Sequence, residues 1–286
     1  MYKKNHTTKT NQITRNKMID KIGKTLRAGG LIFKNPYLLN LVLDNEERMK
    51  QYVVKHYNLP LALPVVELDT LFDDFQIVVN PYAYLSGATL PIDIALLKAL
   101  AQKYGVQKYF EIGTWRGESV VNVSEVVPDC TTFNLSSEDI FALTHSKEYA
   151  ALHGFFSRQK PTIKHLYGNS LTYDFSPYQS AFDMVFIDGD HHYKSIIQDT
   201  KTAFSLLKDE KSIIVWHDYA TDIEQVRWSV LAGILDGCPT EKRNNIYHVH
   251  NTLCAVYLPE SFPTTVLSPH TPPKMYFEIE IKYKGV

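Results

Sequence analysis

Ionisable side chains follow two apolar runs of this sequence, in a pattern that could support catalysis. The runs are DMVFI (183–187) and KSIIVW (211–216), and the side chains that follow them are Asp188, Asp190, His191, His192, His217 and Asp218. This number of ionisable groups exceeds what the packing of a core requires. A histidine or Asp190 could take a proton as a general base. Alternatively, Asp188 and Asp218 could bind a hard cation such as Mg²⁺, a chemistry that the sequence allows but does not favour. His192 is expected only to begin the next helix.

The stretch FEIGTWRGES (110–119) places two glycines four residues apart, between an apolar run and a helical pattern. A phosphate-binding loop would need a lysine after the second glycine, where Glu118 stands. A dinucleotide fingerprint would need a middle glycine, where Trp115 stands. A carboxylate at position 118 would also repel an anion at the helix N-terminus. The turn therefore favours a cofactor without phosphate groups, such as the cationic S-adenosylmethionine, or it merely joins strand to helix.

The elements that must position these groups alternate between strand and helix from residue 91 onward. Strands are predicted at 108–112, 131–135, 162–167, 181–187 and 211–216, and helices at 91–105, 116–127, 146–157, 192–208 and 222–235. Three further strands are predicted near the end, at 245–252, 253–258 and 274–283. The pattern predicts an α/β fold with a Rossmann-like, mostly parallel seven-stranded sheet, helices on both faces and an antiparallel C-terminal hairpin. The carboxyl ends of its parallel strands would bring the glycine turn and the ionisable groups to one edge.

Four motifs occur in order near the ends of predicted strands: YFEIGTWRGES, FNLSSED, YGNS and FDMVFIDGDHHY. On these motifs, residues 88–258 resemble the class I S-adenosylmethionine-dependent methyltransferases. They are most similar to the branch with a DGDHxY motif, which is related to sugar O-methyltransferases. The resemblance implies S-adenosylmethionine as cofactor and in-line methyl transfer to a hydroxyl group of a sugar or another small molecule.

The resemblance also implies the residues of the site. The implied cofactor-binding residues are Glu111, Gly113, Thr114, Gly117, Glu118, Ser119, Asn134, Asn169, Ser170 and Asp188. The implied catalytic residues are Asp188, Asp190, His191, His217 and Asp218. Glu111 would offer a negative charge to the ammonium group of the cofactor, and Gly113 would let the backbone approach it.

Three positions depart from the family pattern. Asn134, 21 positions after Gly113, stands where the family has an acid that binds the ribose hydroxyls. Asn169 replaces an acid beside the adenine amino group, and His217 replaces the first of two acids after the fifth strand. An amide keeps one acceptor and adds donors, so a ribose contact survives in weaker form. The alternatives are a non-catalytic module that binds S-adenosylmethionine and an NAD-linked Rossmann enzyme.

The composition of the chain limits its partners and its location. The chain has 286 residues and a net charge of −1, so no overall field recruits nucleic acid or an anionic membrane. Its three cysteines are too few and scattered for a disulfide framework, and a cytoplasmic location is expected. No apolar run reaches the roughly 20 residues that span a bilayer. The expected partner is a small-molecule acceptor, and a homo-oligomer stays open.

Residues 1–85 are predicted to form an N-terminal extension, and residues 86–286 the methyltransferase domain. The extension would contain a basic tail, a helix over 37–58 and a lid over the pocket. Residues 1–28 carry eight Lys and Arg against one acid, Asp20. Apolar residues are sparse there, so the segment is expected to be solvated and poorly ordered rather than a contact for an anionic surface.

Overall fold

The computed structural model describes residues 5–36, 38–39 and 46–285, with only the backbone described at 5–17 and 19. The chain divides into two compact units, Met1–Met49 and Lys50–Val286. Residues 50–85 belong to the larger unit, in which Val65 and Val66 pair with the main sheet. The compact units thus separate at a different place from the boundary expected at residue 85. The functional division into an extension and a catalytic domain stays a prediction.

The smaller unit contains a long helix, α1 (Asn5–Lys34). The described part of the predicted basic tail is thus helical, and its solvated, poorly ordered character stays a prediction. No proline interrupts residues 5–34, and Asp20 lies 3.2 Å from Lys24 one turn later, an arrangement that supports a helix. Of the helix predicted over 37–58, residues 46–57 are helical, whereas residues 37 and 40–45 lie outside the described residues.

The larger unit is built on an eight-stranded sheet in the order β1-β9-β10-β6-β5-β2-β3-β4. Its strands are β1 (Val65–Val66), β2 (Lys108–Ile112), β3 (Asp129–Asn134), β4 (Ile163–Tyr167), β5 (Met184–Ile187), β6 (Ile213–Trp216), β9 (Ile246–Val249) and β10 (Ala255–Tyr257). Strands β4, β3, β2, β5 and β6 are parallel, and β10 runs antiparallel to β6 and β9. The predicted Rossmann-like fold with its antiparallel hairpin is confirmed, and β1 adds an eighth strand.

The chain order reverses between β2 and β5, which are neighbours in the sheet. From β2 the chain continues outward to β3 and β4, and it then returns to add β5 and β6 on the other side. Such a switch point opens a crevice beyond the carboxyl ends of the strands, where α/β proteins bind ligands. The glycine turn follows β2 and Asp188 follows β5, so both lie at this crevice.

Helices cover the sheet and are α2 (Glu46–Tyr57), α3 (Leu68–Leu71), α4 (Pro91–Lys103), α5 (Glu118–Val123), α6 (Ser137–Thr144), α7 (Lys147–Leu152), α8 (Tyr193–Leu206) and α9 (Trp228–Gly237). Helix α4 begins with Pro91, which suits a first helical position. Helices α8 and α9 pack closely because α9 carries glycines at the contact. A Cβ at Gly233 would lie 2.8 Å from Ile196, and one at Gly237 would lie 2.6 Å from Thr200.

One predicted helix is wrong in its first part, and one predicted strand does not form. The first part of the helix predicted at 222–235 is a small hairpin of β7 (Ala220–Asp222) and β8 (Gln225–Val226), in which Asp222 Oδ1 accepts a hydrogen bond from Glu224 N over 2.9 Å. An Asx turn of this kind competes with a helix start. Residues 274–283 alternate like a strand but form none, and Tyr276 and Tyr283 are almost fully exposed. No described helix combines the length and apolarity needed to cross a membrane.

Candidate active site

The glycine turn between β2 and α5 requires glycine at both positions. Gly113 has a φ of +96°, and a Cβ there would lie 2.1 Å from the carbonyl oxygen of Asp188. Gly117 has a φ of +80°, and a Cβ there would lie 2.3 Å from Ser157 Oγ. Positive φ favours glycine, and neither site has room for a side chain. The turn is therefore pressed directly against the loop that follows β5.

Glu111, near the end of β2, lies in a buried hydrogen-bond network under the turn. Tyr109 donates to Glu111 Oε2 over 2.8 Å and Thr132 donates to Oε1 over 3.2 Å. The hydroxyl of Thr132 also forms a hydrogen bond with the hydroxyl of Thr114, in the turn, over 2.6 Å. Burial raises the pKa of the Glu111 carboxyl to about 8, although hydrogen bonds from Ser119 and Tyr109 oppose the shift. At neutral pH Glu111 is mostly protonated, and a cation nearby would favour its ionised form.

Glu118 and Arg116 hold a segment that we call the strap, residues 78–89. Glu118 Oε1 accepts a hydrogen bond from Ala83 N over 2.7 Å. Arg116 donates from Nη1 to Ser86 O and from Nη2 to Leu85 O, both over 3.0 Å. Both side chains are almost fully buried. Glu118, expected beside the cofactor, thus has its described contacts with the strap and with Arg116.

Asn134, at the end of β3, lines a narrow cleft beside the turn, whereas Asn169 and Ser170, expected after β4, are not among its lining residues. The lining of this cleft includes Thr114, Asn134, His153, Arg158, His165 and Tyr167. Asn134 Nδ2 lies 2.9 Å from His153 Nδ1. Asn169 is exposed, and its Oδ1 accepts a hydrogen bond from Leu171 N over 3.0 Å. Ser170 lies beside the buried Asp199.

Four of the acids and histidines that follow β5 and β6 form one cluster: Asp188, His191, His217 and Asp218. His217 Nδ1 lies 3.1 Å from Asp188 Oδ1 and 3.3 Å from Asp218 Oδ2. His191 Nε2 lies 3.0 Å from the same Asp218 Oδ2. The cluster faces outward through His191, whose side chain is 43% exposed against 7% for His217.

Asp190 stands apart from this cluster. Its Oδ2 accepts a hydrogen bond from Ser195 Oγ over 2.6 Å, and its Oδ1 accepts one from His192 N over 3.2 Å. These contacts lie at the start of α8, with His192 as the residue that precedes the helix. The expectation that His192 begins the helix is confirmed, and the described contacts of Asp190 are with this helix start rather than with the cluster.

Two residues of the cluster were missed by the sequence analysis. Asp93, in the first turn of α4, is fully buried, and its Oδ2 lies 3.0 Å from His217 Nε2. Thr89, at the end of the strap, donates to Asp188 Oδ2 over 2.8 Å. An acid in a first helical turn is ordinary, because it suits the helix dipole. The available signal was that Asp93 interrupts the apolar run of PIDIALLKAL.

The carboxylates around His217 set the charge of the cluster. Burial alone would lower the pKa of His217, but Asp188, Asp218 and Asp93 together raise it well above its ordinary value. Burial likewise opposes the ionisation of Asp218, yet His191 and His217 hold the pKa of its carboxyl far below the usual range. Asp218 therefore stays ionised beside the imidazoles of His191 and His217.

Asp188, His217 and Asp218 could also hold a metal ion. Each offers one ligand atom, and these atoms all lie within 4.8 Å of one another. His217 Nδ1 is buried and within ion-pair distance of two carboxylates, but it has no partner in hydrogen-bond geometry among the described residues. Metal-bound histidines commonly use the other ring nitrogen to contact a carboxylate, as His217 does with Asp93.

The chain is similar to a family model and to several solved structures. A family model described as a methyltransferase domain matches residues 110–219. No curated protein matches the chain. Similar solved structures include the O-methyltransferase TomG from Streptomyces achromogenes, solved with S-adenosylmethionine, at 19% identity and a TM-score of 0.41 over 60% of this chain and 81% of that chain. An O-methyltransferase from Bacillus cereus, in complex with S-adenosylhomocysteine, has 16% identity and a TM-score of 0.39 over 61% and 84% of the two chains. Podospora anserina PaMTH1, bound to S-adenosylhomocysteine, has 15% identity and a TM-score of 0.42 over 60% and 80%.

The matched segment contains the glycine turn and every residue of the acid–histidine cluster except Asp93 and Thr89. It also spans the five parallel strands whose order reverses at β2 and β5, apart from the first two residues of β2. The family match, the order of the strands in the sheet and the order of the motifs along the chain agree with one another. Residues 110–219 match the model of a methyltransferase domain, which agrees with the resemblance that the motifs indicated.

Proposed function

We propose that this protein transfers the methyl group of S-adenosylmethionine to a hydroxyl group of a small molecule. The observation that carries the proposal is the direct contact between the glycine turn and the acid–histidine cluster. Gly113 has no room for a Cβ because the backbone of Asp188 lies against it, and the side chain of Asp188 is 3.1 Å from His217. A cofactor at the turn and an acceptor at the cluster would therefore be neighbours, as methyl transfer requires.

The residues around the turn fit S-adenosylmethionine on two observations. The cleft beside Thr114 is lined by His153, whose buried Nε2 has no hydrogen-bond partner among the described residues. Glu111 is a buried acid that a nearby cation would ionise. When bound, the cofactor supplies an electrophilic methyl group next to its positive sulfur. Thr114, Asn134 and Glu111 would hold it, and the roles of Asn169 and Ser170 stay proposals.

The acceptor hydroxyl must lose its proton as the oxygen is methylated, and His191 is the best-placed group to receive it. His191 is the most exposed member of the cluster, so an acceptor can reach it. Its Nε2 faces Asp218, which orients the ring and leaves Nδ1 for the acceptor. Burial alone would lower the pKa of His191, but Asp218 and Asp188 raise it above its ordinary value and strengthen the imidazole as a base. His217 is too buried for this role.

A divalent cation at Asp188, His217 and Asp218 is a second candidate for activating the hydroxyl. The observation that favours it is the buried Nδ1 of His217, which lacks a hydrogen bond although two carboxylates lie within 3.3 Å. A cation there would be held by one nitrogen and two carboxylate oxygens. Such a mixed set binds Mn²⁺ or Mg²⁺ less strongly than a set made of oxygen ligands alone. Its role would be to bind the acceptor oxygen and lower the pKa of the hydroxyl group.

The acceptor class is proposed on the resemblance to enzymes that methylate sugars. The strap carries exposed aromatic side chains, such as Tyr84, that could stack on a sugar ring. A homo-oligomer and a cytoplasmic location stay predictions. The alternative is a module that binds the cofactor without turnover, and its support is the amide at Asn134.

The test is a screen for transfer of a labelled methyl group to hydroxylated acceptors, beginning with sugars, with and without Mg²⁺ or Mn²⁺. With a responsive acceptor, His191→Asn should lower kcat at least about 100-fold, the usual contribution of a general base. The His191→Asn variant should still fold and should still bind S-adenosylhomocysteine. An unchanged kcat in this variant would contradict the role of His191. Full activity after a chelator has removed divalent cations would contradict the proposed role of the cation.

A further inference from the structure

Residues 276–284, which we call the 276–284 segment, have the sequence pattern of a strand, yet no described strand pairs with them. Side chains of an extended chain alternate between two faces, so one face of this segment carries Phe277, Ile279, Ile281 and Tyr283. Ile279 is 72% exposed, Ile281 70% and Tyr283 99%. An apolar row of this kind on an unpaired strand pattern is suited to pairing with another chain.

The residues just before the 276–284 segment are fixed to the larger unit. Lys274 Nζ lies 3.3 Å from Glu67 Oε1, which forms an ion pair. Met275 packs against the hydrophobic core. The segment therefore leaves the fold at a defined place, and its exposed side chains follow directly.

The second face of the segment is charged, and its charges are ordered. Two acids are followed by two bases at alternate positions: Glu278, Glu280, Lys282 and Lys284. Glu280 Oε1 and Lys282 Nζ form an ion pair over 2.8 Å, so these two side chains lie on the same face. Read backwards, the order becomes two bases followed by two acids. The segment is therefore complementary in charge to an antiparallel copy of itself.

One register satisfies every charge. With Ile281 opposite the same residue of a second copy, Glu280 lies opposite Lys282, and Glu278 lies opposite Lys284. A shift of two residues in either direction would place two glutamates or two lysines opposite each other. A shift of one residue would exchange the two faces. Parallel strands in register would pair like charges only.

We propose that this protein forms a homodimer in which the 276–284 segments of two copies pair as antiparallel strands, with Ile281 at the twofold axis. Such an interface is the same patch on both copies, so the assembly closes at two. The interface is small and exposed, and the dimer is therefore in equilibrium with the monomer and weakens as salt is added. The inference does not depend on the proposed function.

The first experiment measures dimerisation of the full chain by sedimentation equilibrium at low salt. Glu280→Lys puts two lysines opposite each other, and Lys282→Glu puts two glutamates opposite each other. Each variant should raise the dissociation constant of the wild-type dimer at least about tenfold. An equimolar mixture of the two variants should dimerise like the wild type, because their segments are complementary. Asp74→Lys changes the net charge equally at an exposed acid outside the segment, so it is the control and should match the wild type.

The second experiment determines the register by disulfide formation under mild oxidation. The three native cysteines are buried, which leaves an introduced cysteine as the reactive one. Ile281→Cys should give a covalent dimer. Ile279→Cys and Tyr283→Cys should each give little, because equivalent positions would lie about 14 Å apart, beyond the roughly 7 Å that a disulfide bridges. A mixture of these last two variants should form the covalent dimer.

Three results would overturn the inference. The first is a wild type that stays monomeric at every concentration up to its solubility limit. The second is a dimer that Glu280→Lys and Lys282→Glu leave unchanged, since it would use another surface. The third is a disulfide yield for Ile279→Cys alone equal to that of Ile281→Cys, which would exclude the antiparallel register.

Discussion

Asp93 and His217 come from helix and strand ends 124 positions apart and form a buried pair, with Asp93 Oδ2 3.0 Å from His217 Nε2. The other oxygen of Asp93 accepts a hydrogen bond from Leu253 N over 2.9 Å. Asp93 thereby joins α4 to the segment before β10 and fixes the ring of His217. The Nδ1 atom of that ring consequently faces Asp188 and Asp218.

Asp93→Ala should destabilise the fold by about 3–5 kcal/mol, because it leaves a buried imidazole among carboxylates without one of its partners. Asp93→Asn should cost less, because the amide oxygen can still accept from His217. Urea denaturation at pH 7 measures both. Asp74→Asn, at an exposed acid, is the matched control and should be neutral. Equal losses for the Ala and Asn variants would show that this hydrogen bond does not matter.

Alanine substitutions at Gly113 and Gly105 distinguish the cost of a steric clash from the cost of placing a side chain at positive φ. Both have positive φ, but a Cβ at Gly113 would meet Asp188 at 2.1 Å, whereas nothing lies within 4 Å at Gly105. Gly105→Ala should cost about 1 kcal/mol of unfolding free energy, the usual cost of an alanine in this conformation. Gly113→Ala should cost several times more or prevent folding. Similar costs at the two sites, measured by urea denaturation, would contradict the contact between the turn and Asp188.

The binding of S-adenosylmethionine should release a proton from Glu111. The pKa of this carboxyl is about 8 in the protein alone, so it is mostly protonated at pH 7. The positive cofactor favours the ionised form and lowers that pKa. Calorimetry in phosphate and in Tris, which differ in ionisation enthalpy, gives the number of protons released. Glu111→Gln should release about one proton fewer. The same proton count in both proteins would rule out Glu111 as the source.

His248, on β9, should make stability depend on pH. Burial lowers its pKa to about 4, so between pH 6.5 and 4 the unfolded chain binds a proton at His248 that the folded protein does not. Stability is therefore lost as the pH falls through this window, by about 3 kcal/mol in total, and the loss stops below pH 4.

The control for this effect is His248→Gln, which can keep a hydrogen bond to Thr252 O but does not titrate. Unfolding free energies at pH 7, 5 and 4 should fall less steeply in the variant than in the wild type. Parallel pH profiles would assign the pH dependence to other groups.

The sheet was predictable because its central strands are short apolar runs with polar ends. Strand β2 was expected at 108–112 and is found there, and β3 to β6 lie within two or three residues of their predicted bounds. Strand β1 could not be found, since two valines within a proline-rich stretch give no strand pattern. Residues 274–283 have the alternation of a strand, but no described strand pairs with them.

The site residues that follow strand ends were predictable from the sequence. The residues that reach the site through the packing of distant segments were not. The motifs found the glycine turn, Asp188, His217 and Asp218, because the ends of parallel strands share one edge. They could not reveal that Glu118 contacts the strap, since that contact joins residues 35 positions apart. Asp93 and Thr89 were missed because their partners, His217 and Asp188, lie 124 and 99 positions further along the chain.

The central claim is that the glycine turn holds S-adenosylmethionine beside a working acid–histidine cluster. Calorimetric titration of the full chain with S-adenosylmethionine and S-adenosylhomocysteine, with NAD as the control ligand, tests it most directly. Binding of the first two in the micromolar range and none of NAD is the predicted result. Binding of NAD, or of none of the three, would contradict it.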